Sequence, residues 1–371
     1  MILAERIEYF EDPLTVEPLA SVLEPDLAPL YSPAQAVLAV DMTLIAEVTA
    51  PLLNGVPLQA THLAIRGDRA YVSYNVQGSV FLGGVDAFDR IGSKTPVLTS
   101  GLLFTDTDVS AVEADGSRLY LATGAQETSH DSTAVLETTG LRAGGRLISS
   151  VTTRQGVPSL VATGLALHGT RIFLTSGDTG GGVTVLDQSS LAVLSFDPFE
   201  DARAVVAEGS RVVALKGTPA ALRTYDPDSG TFLSEIPVGG ATIPESKSGL
   251  DMAGDIAAVA AGEAGVKLVH LGTGSVIAEL PVPVQGDPDF VSNEVAIHGD
   301  VLFVANGGGG LWAAESSIPL GSIGPGDAPT LQWVGRVGFP VGTSVNFVAR
   351  KGNRLVAAGG LGGLKIVALN D

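Results

Sequence analysis

Cysteine is missing from this chain of 371 residues. Without thiols the protein has no disulfide framework, no cysteine nucleophile and no zinc site built from cysteine. The absence does not decide the compartment, because an exported bacterial protein is compatible with it at least as well as a cytosolic one.

Basic residues are scarce. Lys and Arg number 21 against 40 Asp and Glu, which gives a formal net charge of −19 at pH 7. Binding to nucleic acid or to an anionic membrane surface requires a basic face, so we expect neither as a partner. The acidity favours solubility and, less specifically, the binding of cations.

A leader sequence and a long apolar run are also lacking. Glu5, Arg6 and Glu8 interrupt the first ten positions, and no basic start precedes an apolar stretch. We therefore expect no signal peptide in this sequence and no membrane insertion. The chain is either cytoplasmic or the mature or excised part of a longer protein. We favour the second, a monomeric domain of an exported bacterial protein with an extracellular, cell-surface or periplasmic location.

Aromatic residues make up only 5% of the chain, whereas glycine occurs 47 times, as in proteins with many turns and small-residue packing. Seven glycines share one context, with an apolar strand-like run on each side: Gly67, Gly116, Gly169, Gly209, Gly254, Gly299 and Gly352. They recur roughly every 40–50 residues, a period typical of propeller blades. A tight hairpin needs positive φ at a central turn position, which glycine reaches without a steric clash.

The repeating unit is clearest in residues 164–187, GLALHGTRIFLTSGDTGGGVTVLD. Strand-like runs flank the turn at Gly169, a glycine-rich loop follows, and a third run ends at Asp187. A fourth run, LAVLSF (191–196), comes after a polar turn. We predict that each unit forms four antiparallel strands. The glycine-rich loops lack the Lys-Ser/Thr of a phosphate loop, so we interpret them as hairpin connections.

Seven such units over residues 58–371 predict an all-β fold, a seven-bladed β-propeller of four-stranded antiparallel blades. The C-terminal unit has only three strands. We predict that Leu44–Ala50 supplies the fourth by pairing with Leu364–Leu369, so that an N-terminal strand closes the ring and no sheet edge stays open there. Residues 35–57 are then the closing strands of the propeller.

The segment before residue 35 has a different composition. Residues 1–34 contain no glycine but five prolines, which exclude a long helix and favour extended chain. We predict an arm packed on the propeller or the tail of a preceding domain. A strand at 36–41 is surplus to seven blades, so an eight-bladed ring remains an alternative.

The pattern of strand, turn glycine, strand, paired glycines and apolar third strand resembles the LVIVD-repeat family of bacterial β-propellers. The matching stretches are RKGNRLVAAGGLGGLKIVAL (350–369), residues 167–187 and residues 295–312. The resemblance covers about residues 58–371 and implies a propeller fold, often at the cell surface, without supplying catalytic residues. The chain departs from the family after the third strand, where Asp187 and Asp226 are present but Leu271 and Leu369 lie near that place in later units.

Acidic residues concentrate in the predicted links between blades. Asp106 and Asp108 lie in TDTD, and Asp287 and Asp289 lie in GDPD. Carboxylates in loops are ligands that Ca²⁺ prefers, so these four residues are candidates for a calcium site, the one cofactor that the sequence suggests. The alternative is that they are solvated turn carboxylates, because no stretch has the spacing of a Ca²⁺-binding loop.

Three further residues are candidates for ligand contact. His130 and Asp131 lie side by side in the longest insertion, between residues 124 and 145. Trp312 follows a glycine run, where an exposed indole would stack on a sugar ring or anchor a protein partner. The alternative for Trp312 is a side chain wedged between blades.

A rigid ring without a convergent catalytic set favours a non-enzymatic binding or scaffold module whose partner is a protein or a carbohydrate. The alternative is a hydrolase or lyase that uses a metal or carboxylates at the axial loops of the propeller. The sequence does not decide whether the protein is an enzyme.

Overall fold

The computed structural model describes residues 3–14, 40–78, 80–126, 132–151, 153–177, 179–239 and 247–370. Within these ranges the regular structure is β-strand, apart from two short 3-10 turns at Leu3–Arg6 and Leu320–Ser322. No helix in this part of the chain is long and apolar enough to cross a membrane.

The strands before the first repeat are β1 (Ile7–Leu14), β2 (Asp41–Val48), and the short hairpin of β3 (Leu52–Leu53) and β4 (Val56–Pro57). Six four-stranded antiparallel sheets follow, each with its strands side by side in chain order. Blade 1 contains β5 (Gln59–Arg66), β6 (Arg69–Asn75), β7 (Gly83–Asp89) and β8 (Val97–Phe104). Blade 2 contains β9 (Thr107–Ala114), β10 (Arg118–Gln126), β11 (Ser132–Gly140) and β12 (Thr153–Gly156). Blade 3 contains β13 (Val161–His168), β14 (Arg171–Gly177), β15 (Gly182–Asp187) and β16 (Val193–Pro198).

Blade 4 contains β17 (Ala202–Glu208), β18 (Arg211–Lys216), β19 (Ala221–Tyr225) and β20 (Phe232–Pro237). Blade 5 contains β21 (Leu250–Ala253), β22 (Ile256–Ala260), β23 (Val266–His270) and β24 (Ser275–Leu280). Blade 6 contains β25 (Glu294–His298), β26 (Val301–Ala305), β27 (Leu311–Ser316) and β28 (Leu331–Val337). Blade 7 combines β29 (Phe347–Lys351), β30 (Arg354–Ala358) and β31 (Leu364–Asn370) with β2 and β1. The protein is a seven-bladed β-propeller, as predicted, and the eight-bladed alternative is wrong.

An N-terminal strand closes the ring, which confirms the predicted pairing. In the register of β2 with β31, Leu44 lies opposite Val367 and Val48 opposite Leu364. The strand begins three residues earlier than predicted and ends at Val48. Of the surplus segment 36–41, residues 36–39 lie outside the described residues, and Asp41 is the first residue of β2.

The seven turn glycines have φ between 56° and 99°, which confirms the reason for glycine at these positions. At each turn the innermost strand of a blade passes into its second strand. Because the turn recurs once in each blade, it defines one end of the ring, here called the bottom face. The connections between second and third strands, and the links between blades, lie at the opposite end, the top face.

Neighbouring blades are held together by apolar clusters. Between blades 5 and 6, Ile256 and Leu268 pack with Val304 and Trp312, and all four side chains are fully buried. The other six interfaces contain clusters of the same kind. Since both faces of a blade are covered, its strands carry continuous apolar runs instead of alternating polar and apolar residues.

The N-terminal segment 3–14 packs on this ring. β1 pairs with the outer side of β2 as a fifth strand, with Ile7 opposite Val48. Arg6, only 4% exposed, makes a two-pronged ion pair with Asp86 of β7, at 3.1 and 2.5 Å. The segment is therefore fixed to both blade 7 and blade 1. Whether residues 1–34 belong to a preceding domain stays a prediction, and residues 15–34 lie outside the described residues.

Candidate functional site

The innermost strands of the blades surround an axial cavity of about 1030 Å³. The volume is at the upper end of the range usual for small-molecule sites, roughly 300–1000 Å³. Ionisable side chains from several blades line this cavity among small and aliphatic residues. The cavity is therefore the first candidate for a functional site.

Four carboxylates line the cavity: Asp201, which is paired with Arg203, and the three described next, Glu294, Glu113 and Asp251. Glu294 accepts a hydrogen bond from the backbone N–H of Val295 (3.0 Å), and Glu113 accepts one from Ala114 (3.2 Å). Asp251 accepts one from Ile297 of the next blade (2.7 Å). None of the three forms an ion pair with a side chain in the described part of the chain.

Burial controls the ionisation of these carboxylates. Desolvation raises the pKa of Glu113 to about 7 and also raises the pKa of Asp251, although backbone N–H donors oppose both shifts. The pKa of Glu294 lies well above its ordinary value, chiefly because of burial and further because the charge of Asp251 is near. In the folded protein these carboxyl groups therefore keep their protons to a higher pH than carboxyl groups in water do.

One amine spans the top of the cavity. Lys247 precedes β21 of blade 5, and its Nζ donates to the carbonyl oxygen of Thr61 in blade 1 (3.0 Å). Burial lowers the pKa of Lys247 to about 8, against the opposing effect of Glu294. Since blades 1 and 5 are not neighbours, this hydrogen bond connects opposite parts of the ring.

An aromatic wall faces the carboxylates. The rings of His62 and Phe347, from blades 1 and 7, lie with centroids 4.0 Å apart. The Nδ1 atom of His62 accepts the backbone N–H of Val112 (3.4 Å). Burial lowers the pKa of His62 to about 3, and the charge of Lys247 acts in the same direction, so the imidazole is neutral.

Above the cavity, polar side chains at one repeat position join several blades to the next blade along the ring. Thr163 donates through Oγ1 to the carbonyl of Ala202 (2.7 Å). Asn293 donates through Nδ2 to Val345 (3.0 Å). These side chains satisfy backbone acceptors at the start of a neighbouring inner strand, and we interpret them as structural.

The predicted calcium residues of blade 2 serve the fold locally. Asp108 accepts the backbone N–H groups of Val76 (3.4 Å) and Leu82 (3.1 Å) and so holds the top loop of blade 1. Burial raises the pKa of Asp108 to about 7. Asp106 accepts the hydroxyl of Thr107 (3.1 Å).

The second predicted pair lies in another link. Asp287 and Asp289 connect blade 5 to blade 6, and Asp287 accepts the backbone N–H of Asp289 (2.9 Å). Asp106 lies in the link from blade 1 to blade 2 and Asp108 at the start of β9, so the four residues do not form one site. No group of three or more His, Cys, Asp or Glu that could hold a metal ion occurs among the described residues.

Trp312 requires a correction. Its side chain is fully buried between blades 5 and 6, with Nε1 donating to the carbonyl of Gly309 (2.9 Å) and the ring edge-on to Trp333 at 5.5 Å. The indole has no face for a ligand, so the alternative interpretation, a wedge between blades, is the correct one. His130 and Asp131 lie outside the described residues.

One feature of the sequence would have predicted this cavity as a site. Glu113, Asp251 and Glu294 each lie in an innermost strand, three to five residues before a turn glycine. A charge on an innermost strand is a candidate for the axial cavity, because that strand borders the channel.

Comparisons with solved structures support the fold. The chain is similar to U3-55K, with a TM-score of 0.60 and 14% identity, covering 86% of this chain and 98% of that chain. It is similar to the WD40 domain of Pan2 from Neurospora crassa, with a TM-score of 0.57 and 12% identity, covering 85% and 90%. A third match is the computationally designed Ika8 protein, with a TM-score of 0.52 and 15% identity, covering 85% and 98%. At such identities the likeness shows the fold alone.

No family model and no curated protein matches the chain. The resemblance to LVIVD repeats therefore stays at the level of turn glycines and apolar runs, while the propeller fold is shown.

Proposed function

We propose that the protein is a non-enzymatic binding module, a rigid ring that holds a protein partner on its top face. The observation that carries this proposal is a group of exposed aliphatic side chains on top-face connections of blades 6, 7 and 1. This blade 7 patch consists of Leu52 (55% exposed), Val56, Val341 (fully exposed) and Leu361 (51%). Exposed apolar side chains gathered on adjoining loops are typical of protein interaction sites.

The loops that carry the patch adjoin one another. Ala60 and Gly360 exchange backbone hydrogen bonds of 2.9 and 3.2 Å, which ties the start of β5, directly after the hairpin, to the loop before β31. Gly362 lies against the side chain of Thr343, since a Cβ there would stand 2.5 Å from Oγ1. The patch therefore rests on one supported surface that does not have to be ordered when a partner binds.

A protein fits this surface better than a carbohydrate. Sugar rings stack on exposed aromatic side chains, and the patch contains only aliphatic ones. The similarity to the WD40 domain of Pan2 supports the proposal at the level of the fold. The cell-surface or periplasmic location suggested by the sequence is part of the proposal, and fractionation of the source cells tests it.

The experiment places a photo-crosslinking amino acid at position 361 and, as the control, at position 233 on the outer strand of blade 4. A partner caught only from position 361 is purified and titrated against the V341D/L361D variant and against L194D/L233D. The control pair is also apolar and exposed but lies on the outer rim. We expect the patch variant to lose at least about tenfold in affinity, as for interface anchors, and the rim variant less than about twofold. Equal affinities for the two variants would contradict the proposal.

The alternative is a hydrolase or lyase that uses a metal or carboxylates at the axial loops, and the geometry favours it less. The acidic links on which it depended are separate, and the carboxylates that do face the axis are distributed around the cavity.

A further inference from the structure

We propose that the axial cavity binds a small linear organic cation, a diamine or polyamine, through Glu294, Asp251 and Glu113. This site is distinct from the blade 7 patch and does not depend on the function proposed for it.

Glu294 is the strongest single indication of a ligand. The residue is only 6% exposed, yet it borders the cavity. Its Oε1 accepts the N–H of Val295, but its Oε2 has no hydrogen-bond donor among the described residues. The carboxylate lies across Gly249, where a Cβ would stand 2.1 Å from Oε2. A glycine thus leaves space for a buried acid whose second oxygen is free to accept a bond from a ligand.

The charge around Glu294 favours a cation. Lys247 donates to Thr61 across the ring and makes no ion pair with Glu294 in the described structure. Asp251 and Glu113 likewise lack ion-pair partners within the described residues. The cavity lining holds four carboxylates, Glu113, Asp201, Asp251 and Glu294, against three basic side chains, Lys247, Arg203 and Arg350. Arg203, at the rim, is already paired with Asp201 (2.8 Å). An anionic ligand would meet these carboxylates, whereas a cation would offset their charge.

The spacing of the carboxylates favours a linear cation over a single ion. Glu294 lies opposite Ala305, four residues from the bottom turn of blade 6, and Asp251 lies opposite Ala258, two residues from that of blade 5. Two residues of strand correspond to about 6.6 Å along the axis. Glu113, opposite Tyr120, shares the lower level. Amines at the two ends of a short aliphatic chain reach both levels.

The remaining wall suits the same ligand. Phe347 is half-buried at the level of Glu294, so its ring borders the cavity and offers a face to an alkylammonium group. A divalent metal does not explain the arrangement, because the described residues bring no three metal-binding side chains together.

The experiment is calorimetric titration of the full chain with butane-1,4-diamine at pH 7.5, and with butane-1,4-diol and CaCl₂ as comparison ligands. We expect saturable binding of the diamine only. E294Q should weaken it at least about tenfold, as expected for loss of a charged hydrogen bond. K247M should strengthen it, since an internal competing cation is removed. E8Q, the same change on the exposed side of β1, should leave it unchanged.

The outcomes separate a binding role from a structural one. E294Q removes a buried acid, so we expect it to melt no lower than the unaltered protein. A loss of binding in a variant that melts in this way is not a loss of folding. Proton release on binding, seen as heats that differ between buffers, supports displacement of protons from the carboxylates. Absence of saturable diamine binding, equal binding of the diol or of Ca²⁺, or equal affinities of E294Q and E8Q would each overturn the proposal.

Discussion

The buried ion pair between Arg6 and Asp86 provides the sharpest test of how the N-terminal segment stabilises the ring. Two hydrogen bonds join the guanidinium and the carboxylate, and Arg6 Nε donates a third to the carbonyl of Thr49 (2.9 Å). Both side chains are almost completely buried, at 4% and 2% exposure. Replacing Asp86 by Asn leaves the shape but turns an N–H donor toward the guanidinium, so the charge of Arg6 becomes unpaired.

Removal of one partner from a buried ion pair costs about 3–5 kcal/mol. The protein can respond to this cost in two ways. Either the whole ring loses that stability, or residues 3–14 detach from β2 and carry Arg6 into water. Detachment of the segment limits the loss of global stability and exposes the outer edge of β2. The two responses are therefore distinguishable by where the structure opens.

Urea unfolding and hydrogen exchange measured on D86N test both responses. We expect either a loss of at least about 3 kcal/mol in global stability or exchange in β1 and β2 at least about 100-fold faster. The matched control is D89N on the same strand, because Asp89 and Arg69 form an exposed pair at 3.9 Å that contributes about 0–1 kcal/mol. If D86N and D89N behave alike in both measurements, the buried pair does not hold the segment and the reasoning is refuted.

Two further predictions concern the inner strands. T163V removes the donor to Ala202 in the next blade and should cost about 1–3 kcal/mol in urea unfolding, whereas T153V on an exposed strand should cost less than about 0.5 kcal/mol; equal costs would contradict the structural role of the rim position. The second prediction concerns Glu113, whose pKa rises on folding from 4.5 to about 7. Between these pH values the folded state keeps a proton that the unfolded state releases. The stability that this proton contributes is therefore lost as pH rises from about 4.5 to 7. Between pH 5 and pH 7.5, E113Q should therefore lose less stability than the unaltered protein, by on the order of 2 kcal/mol after a discount for partial access of water. An unchanged pH profile would show that this carboxylate is not buried in the folded protein.

The ring was predictable because its signals are local. A turn that requires positive φ selects glycine wherever it recurs, and seven such turns set both the number of blades and their boundaries. The closing strand followed from counting, since the last blade had three strands and an open edge costs stability or solubility. The approximate pairing of Leu44–Ala50 with Leu364–Leu369 needed no knowledge of side-chain packing.

The site was less predictable because its contacts are distant in sequence. Lys247 bonds a carbonyl 186 positions away, and Arg6 pairs with a carboxylate 80 positions away. A local pattern cannot specify such partners, so the acidic links looked more informative than single charges inside apolar strands. Trp312 misled for a related reason, because its position after a glycine run does not tell which side of the strand faces the neighbouring blade.

Different residues support the ring and charge its axis. Apolar clusters between blades close the ring, whereas Glu294, Asp251 and Glu113 occupy innermost strands where aliphatic residues would pack at lower cost. A buried acid without an ion-pair partner opposes folding, so its presence on three inner strands is not explained by stability. Because the interfaces between blades stabilise the ring independently, the axis can hold these unfavourable buried acids. A ligand that offsets their charge binds favourably, because it removes part of the cost of burying them.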